Sequence, residues 1–189
     1  MLVAVSFAAG LNVYATVATL GLLSHTAWVT LPPGLHLLGS WWTIGACGAL
    51  FALEFFADKV PAFDLIWNAL HTFIRVPVAA LVAWQATASM QPWEQLVAAA
   101  AGGAIALAAH GGKMAARVTV TPSPEPLSNI GLSLGEDAVA VFLTWLATWN
   151  PWVAGGIAAA LVVMTLLLVR WVWRALGALF RGAEEALFE

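Results

Sequence analysis

Charge is what this sequence has least of. Of 189 residues, 7 are Lys or Arg and 10 are Asp or Glu, 9% in all, where an ordinary soluble domain carries roughly 25%. With 62% of the residues hydrophobic, the chain cannot cover itself with water-facing groups. Cysteine is almost absent: Cys47 stands alone, which excludes an intrachain disulfide framework and a cysteine-based metal site. No basic tract suits a phosphate backbone, so nucleic acid is excluded as a partner. No alternating ten-residue pattern points to an outer-membrane barrel. Neither an HExxH metal motif nor a nucleophile elbow occurs, and no cofactor or metal is expected.

What is present is long and apolar. Runs fall at 2–23, 41–56, 65–84, 96–109, 127–149 and 152–169, and at about 20 residues per crossing they suit roughly six membrane spans. The expected fold is therefore all-α, a polytopic transmembrane helix bundle. Its partner is the lipid bilayer, and six short spans are compatible with a homo-oligomer. Residues 1–182 read as one transmembrane domain and 183–189 as a short cytoplasmic tail. The first residues lack the basic start of a secretory signal, so the N-terminus reads as the beginning of span 1. Spans 2 and 4 are short for a core of about 30 Å. Either they continue as helices to about Asp58 and Ala116, or they are broken or re-entrant, which is tolerated where protein or a wet cavity covers the backbone.

Lys59, Lys113, Arg117, Arg174 and Arg181 follow the even-numbered spans, Arg75 and Arg170 lie within spans 3 and 6, and the connections 24–40, 85–95 and 149–152 hold no Lys or Arg. The positive-inside rule then places both termini in the cytoplasm. Trp28, Trp41, Trp42, Trp84, Trp93, Trp149 and Trp152 mark the outer interface, and Trp67, Trp171 and Trp173 the inner one. A weak parallel repeat lays the hairpin of spans 2 and 3 over that of spans 4 and 5. It matches Lys59 with Lys113 at one offset and Asn68, Val78 and Trp84 with Asn129, Val139 and Trp145 at another. Transporters often place their sites between such repeats.

Asn68, His71 and Arg75 share one face of span 3, and Asn129, Ser133 and Glu136, with Asp137 beside them, share one face of span 5. Arg75 and Glu136 come near mid-bilayer, where an ionised side chain costs several kcal/mol and normally pairs. The expectation is that the two helices meet, with Arg75 paired to Glu136 or Asp137. Two carboxylates against one Arg would leave surplus negative charge beside His71, an arrangement that favours proton or cation exchange. A structural clasp between helices and a substrate site without proton coupling are the other readings. A second polar group lies at the cytoplasmic ends: Glu54, Asp58, Lys59 and Asp64 in the first hairpin, then His110, Lys113, Arg117, Ser123 and Glu125 in the second. Asp64 and Ser123 stand at N-cap positions. Glu54, about a turn inside the end of span 2, is the hardest to explain as a surface charge.

Several stretches carry a resemblance: Gly10-Leu11-Asn12-Val13-Tyr14, Ala57-Asp58-Lys59-Val60-Pro61 through Asp64, His71 to Pro77, His110 to Lys113, and Ser123-Pro124-Glu125-Pro126 through Asn129, Ser133, Glu136 and Asp137. Over most of its length the chain resembles the bacterial membrane family known as domain of unknown function 4126. Ala79-Ala80 departs from the glycine expected after the Arg-Val-Pro segment. The resemblance implies a bacterial inner-membrane setting and brings no established activity. Three functions stay open: a small transporter or channel-like protein for a small solute or ion, an intramembrane enzyme or binding protein acting on a lipid or isoprenoid, and a structural or assembly protein.

Overall fold

The computed structural model describes residues 1–27, 29–57, 61–120 and 126–187, without the side chains of 61–65, 118, 120, 126, 127, 129 and 179–187. The described residues form α1 (Leu2–Leu11), α2 (Val13–Leu23), a 3-10 helix (Pro33–Gly39), α3 (Trp41–Ala57), α4 (Pro61–Ala86), α5 (Pro92–Val120), α6 (Pro126–Trp149) and α7 (Pro151–Leu187). Each of the four long helices begins at a proline, whose missing N–H is harmless in a first turn and whose fixed φ suits it. Side chains complete two of these starts. The Gln91 N–H donates to Glu94 before α5, and the Val153 N–H donates to Asn150 before α7, as capping requires. Pro77 lies inside α4 without ending it.

Segments Ile66–Ala86, Pro92–Arg117, Ile130–Trp149 and Pro151–Ala178 are long and apolar enough to cross a membrane, and α3 with the 3-10 helix, bent by 63°, counts as a fifth if the pair is one span. The outside of the bundle is correspondingly apolar. Phe73, Leu166, Leu167 and Met164 stand exposed, and Trp41, Trp42, Trp93, Trp149 and Trp152 ring one end, a surface that water would not tolerate and bilayer interfaces favour. The molecule is an all-helical membrane protein. Run 4 takes the continuous alternative within α5, which extends to Val120, whereas run 2 lies in α3, Trp41–Ala57, which is bent against the 3-10 helix as a broken or re-entrant span would be.

A further break falls in the first run. Call the top of the bundle the end that carries the 3-10 helix, the turn after α4 and the junction of α6 with α7. Met1, Leu2 and Val5 line one cavity with Leu35, Ala86 and Thr87 at the top. Ten residues on, Gly10 lies against Ala106 and Ala109 of α5, so α1 descends alongside α5. Then α2 starts level with His71, which the Tyr14 hydroxyl reaches. It ends where Gly21 faces the Leu38 carbonyl and Ile44. Gly34 of the 3-10 helix touches Gln85 near the end of α4, so α2 has returned to the top. The pair is a re-entrant hairpin with Asn12 at its tip. At about 1.5 Å per residue, ten residues carry the tip about 15 Å down, half of a ~30 Å core.

Asn12 is extended, with φ −148° and ψ 103°, which interrupts the helix while leaving its groups satisfied. Its N–H donates to the Ala8 carbonyl. Its Oδ1 accepts from the Ala15 N–H at 2.9 Å, and its carbonyl accepts from the Thr16 hydroxyl at 2.8 Å. Every residue from Ala4 through Leu11 is buried, because α1 sits among α4, α5, α6 and α7 while α2 packs on α3 and α6. Small residues allow this approach: Gly10 meets the α5 backbone, and Gly102 of α5 meets Ser6 and Ala83. Lower down, Gly112 faces Thr165 and Gly111 faces Val169, so α7 runs from the top to the bottom. Met1 and the end of α7 therefore lie at opposite ends of the bundle. The physical reason is the turn at Asn12, which converts a crossing into a descent and a return.

Candidate functional site

Beneath the hairpin tip, α3 to α6 supply a layer of buried ionisable groups. Glu54, Arg75, Lys113, Arg117, Glu136 and Asp137 are each no more than 8% exposed. The periodicity that brings each one inward is legible: on α3 the buried positions are Ile44, Glu54 and Ala57, and on α5 His110, Lys113 and Arg117 recur at helical spacing.

Arg75 donates from its guanidinium to Glu54 on α3 and to His110 Nδ1 on α5 at 2.9 Å. A guanidinium has no acceptor, so Nδ1 accepts and the His110 proton sits on Nε2. From there it donates to the Thr72 hydroxyl at 2.7 Å, and Thr72 donates to the Asn68 carbonyl at 3.3 Å. Lys113 stands between the two hairpins, with Nζ 3.8 Å from Glu54 and 3.3 Å from Glu136. Arg117 closes the row at 3.1 Å from Glu136. The order across the bundle is Arg75, Glu54, Lys113, Glu136, Arg117, alternating in sign.

The hairpin touches this layer twice. Asn12 Nδ2 donates to Asp137 Oδ1 at 2.9 Å. Tyr14 and His71 Nε2 lie 3.1 Å apart. Because His71 Nδ1 lies 2.7 Å from the Trp67 carbonyl, which can only accept, Nδ1 carries a proton and in the neutral ring Nε2 accepts from Tyr14. The His71 ring is stacked on Trp67 at 4.4 Å and meets Tyr14 edge-on at 5.6 Å.

One expectation is corrected. Arg75 does not pair with Glu136 or Asp137; its carboxylate partner is Glu54. The reason is α1, which packs on both α4 and α6 and stands between them. Among the described buried groups there are three carboxylates, Glu54, Glu136 and Asp137, and three cations, Arg75, Lys113 and Arg117. The two polar groups that the sequence separates by depth are one network: Glu54, His110, Lys113 and Arg117 join Asn68, His71, Arg75, Glu136 and Asp137. Ser133 is fully buried one turn before Glu136, and its hydroxyl makes no hydrogen bond among the described residues. Asp58, Lys59, Ser123 and Glu125 lie outside the described residues, as do the side chains of Asp64 and Asn129.

Asn12, Tyr14 and Thr72 join the site without being among the charged or polar positions that the sequence marks. For Asn12 a signal existed, since it is the one amide in an otherwise apolar first run. Tyr14 and Thr72 are ordinary residues in a membrane helix, and only their partners give them a role.

A family model described as Domain of unknown function (DUF4126) matches residues 1–171. No curated protein and no solved structure matches the chain. The matched stretch runs from the hairpin through every described member of the charged layer and most of α7, so the chain belongs to the DUF4126 family.

Proposed function

We propose that this chain is a small ion-coupled transporter or channel-like membrane protein whose coupling site is the charged layer beneath Asn12. The observation that carries the reading is the hairpin itself, an interrupted helix ending at membrane depth on a network of buried charges. Ionisable residues at that depth are expensive and are kept where ions or protons pass. Interrupted helices place polar groups of the backbone and side chains where solutes bind.

Lys113 is the movable element in this scheme. Its Nζ lies within reach of two carboxylates, Glu136 at 3.3 Å and Glu54 at 3.8 Å, so an ion that competes for Glu136 shifts Lys113 toward Glu54. Adjacent Asp137 passes the change to Asn12 and so to the hairpin. A row of buried ion pairs that served only as a clasp would gain little net stability, because desolvation offsets attraction. Under the positive-inside rule the bottom, with Lys113 and Arg117, faces the cytoplasm of a bacterial inner membrane. The C-terminus is then cytoplasmic and Met1 lies on the opposite side.

The test is flux in proteoliposomes, read with an entrapped pH dye and with imposed Na+, K+ and chloride gradients. Glu136→Gln is expected to abolish the flux seen for the parent protein while gel filtration and thermal unfolding stay close to it. A folded Glu136→Gln protein that conducts normally would overturn the coupling role.

A further inference from the structure

Away from the charged layer, α2, α3, α4 and the 3-10 helix enclose a cavity of about 240 Å³ in the upper half of the bundle. Tyr14 and Val17 of α2, Cys47 of α3 and Val78 of α4 form its walls. They are apolar apart from the Tyr14 hydroxyl, which His71 already engages. An apolar cavity of about 150 Å³ in a soluble protein stays dry and takes up benzene, so one this size holds hydrocarbon in preference to water.

Its opening indicates where the hydrocarbon comes from. Two of the lining side chains, Leu37 and Leu81, are 78% and 57% exposed, and they stand on the outer surface that a membrane-spanning bundle turns toward lipid. At ~1.5 Å per residue, Leu81 lies about 7 Å below Ala86, where the α4 span ends. The mouth therefore opens inside the bilayer. Polarity is graded along the cavity, with Gln85 and the Gly34 backbone at the upper edge and Val78 and Tyr14 in the depths. This gradient matches a lipid whose ester region sits at the interface and whose chain runs inward. Little direct packing joins α3 to α4, which leaves the side entrance open.

We infer that this cavity binds one acyl chain of a bilayer phospholipid, entering sideways between α3 and α4 with its ester region near Gln85. The chain end then rests on the Tyr14 ring, so lipid occupancy bears on the residue whose hydroxyl holds His71. The site is independent of the transport reading and stands or falls by its own experiment.

That experiment uses the full-length protein in phosphatidylcholine nanodiscs doped with a phospholipid that carries a diazirine midway along one chain. After photolysis, mass spectrometry should place adducts on segments 13–17 and 78–82 in several-fold excess over the equally lipid-facing segment 163–167 of α7. Leu81→Trp, at an exposed position that tolerates bulk, should close the mouth and remove the excess, and Val78→Trp should do so from within. Equal labelling of α7 and the cavity segments, or an excess unchanged in Leu81→Trp, would overturn the site. So would rapid modification of Cys47 by a membrane-impermeant charged maleimide in the folded protein, because that would mark the cavity as water-filled.

Discussion

At the scale of single residues, the energetics of the charged layer rest on pairing. Removing one member of a buried pair strands the other, at about 3–5 kcal/mol, whereas removing both is nearly neutral. Arg75→Met should lower stability by about that amount, because it takes from buried Glu54 the guanidinium that donates to it. The double variant Glu54→Gln/Arg75→Met should recover most of the loss, as read from unfolding in mixed detergent and dodecyl sulfate; a double variant as weak as the single one would refute the pairing. Asn12 has two duties, capping α2 and holding Asp137. Asn12→Ala should cost about 1–2 kcal/mol for the lost cap and bond. Asn12→Asp keeps the cap but sets a second carboxylate against Asp137, so it should be the more destabilising of the two. Much of this layer was legible: Arg75, His71, Glu136 and Asp137 stand out as charges in apolar helices. Which charge meets which was not, since helical phase shows that a side chain turns inward and leaves its neighbour open.

At the scale of elements, glycine shows which helix faces are in contact. A Cβ on Gly10 would run into the backbone of Ala106 as well as the Ala109 side chain, and backbone cannot yield. Gly10→Val should keep α1 from docking, giving protein that is extracted as aggregate or elutes in the void volume. Gly48 has nothing within reach of an added methyl, so Gly48→Ala should leave stability unchanged to within about 0.5 kcal/mol. Equal behaviour of the two variants would show that α1 does not lie against α5 as described. The helix starts could be read from the chain, since Pro61, Pro92, Pro126 and Pro151 open the four long helices. The interruption at Asn12 could not, because a lone Asn in an apolar run is as compatible with a continuous helix as with a break. What selects the break is a set of tertiary partners, Asp137 for the side chain and the α5 groove for Gly10.

At the scale of the whole molecule, if residues 2–23 are re-entrant and the bent pair of the 3-10 helix and α3 is one span, the bundle has five crossings and its termini fall on opposite sides. A reporter fused at the N-terminus and another at the C-terminus should lie on opposite sides of the membrane. In separate cysteine variants, Ala88 in the turn after α4 should react on the same side as the N-terminal reporter, and Arg174 on the other. Reporters found on one side would restore a full crossing for residues 2–23 and refute the re-entrant hairpin.

Composition by itself determined the solvent of this protein. With 9% charged residues and 62% hydrophobic ones, a chain of this length has only a bilayer in which to place its surface, and helical runs follow because backbone groups in lipid must pair within their own segment. The scarcity of charge also marked the residues of interest, since each Arg, Lys, Glu or Asp in an apolar run demands a partner. Tertiary structure alone decided the partners and the path. Pairing depends on which helices are neighbours, and here α1, inserted from the top, separates α4 from α6. Glu54 is thereby left to Arg75 and Glu136 to Arg117 and Lys113. That arrangement depends on contacts between residues far apart in the chain, which hydropathy along a single run does not record.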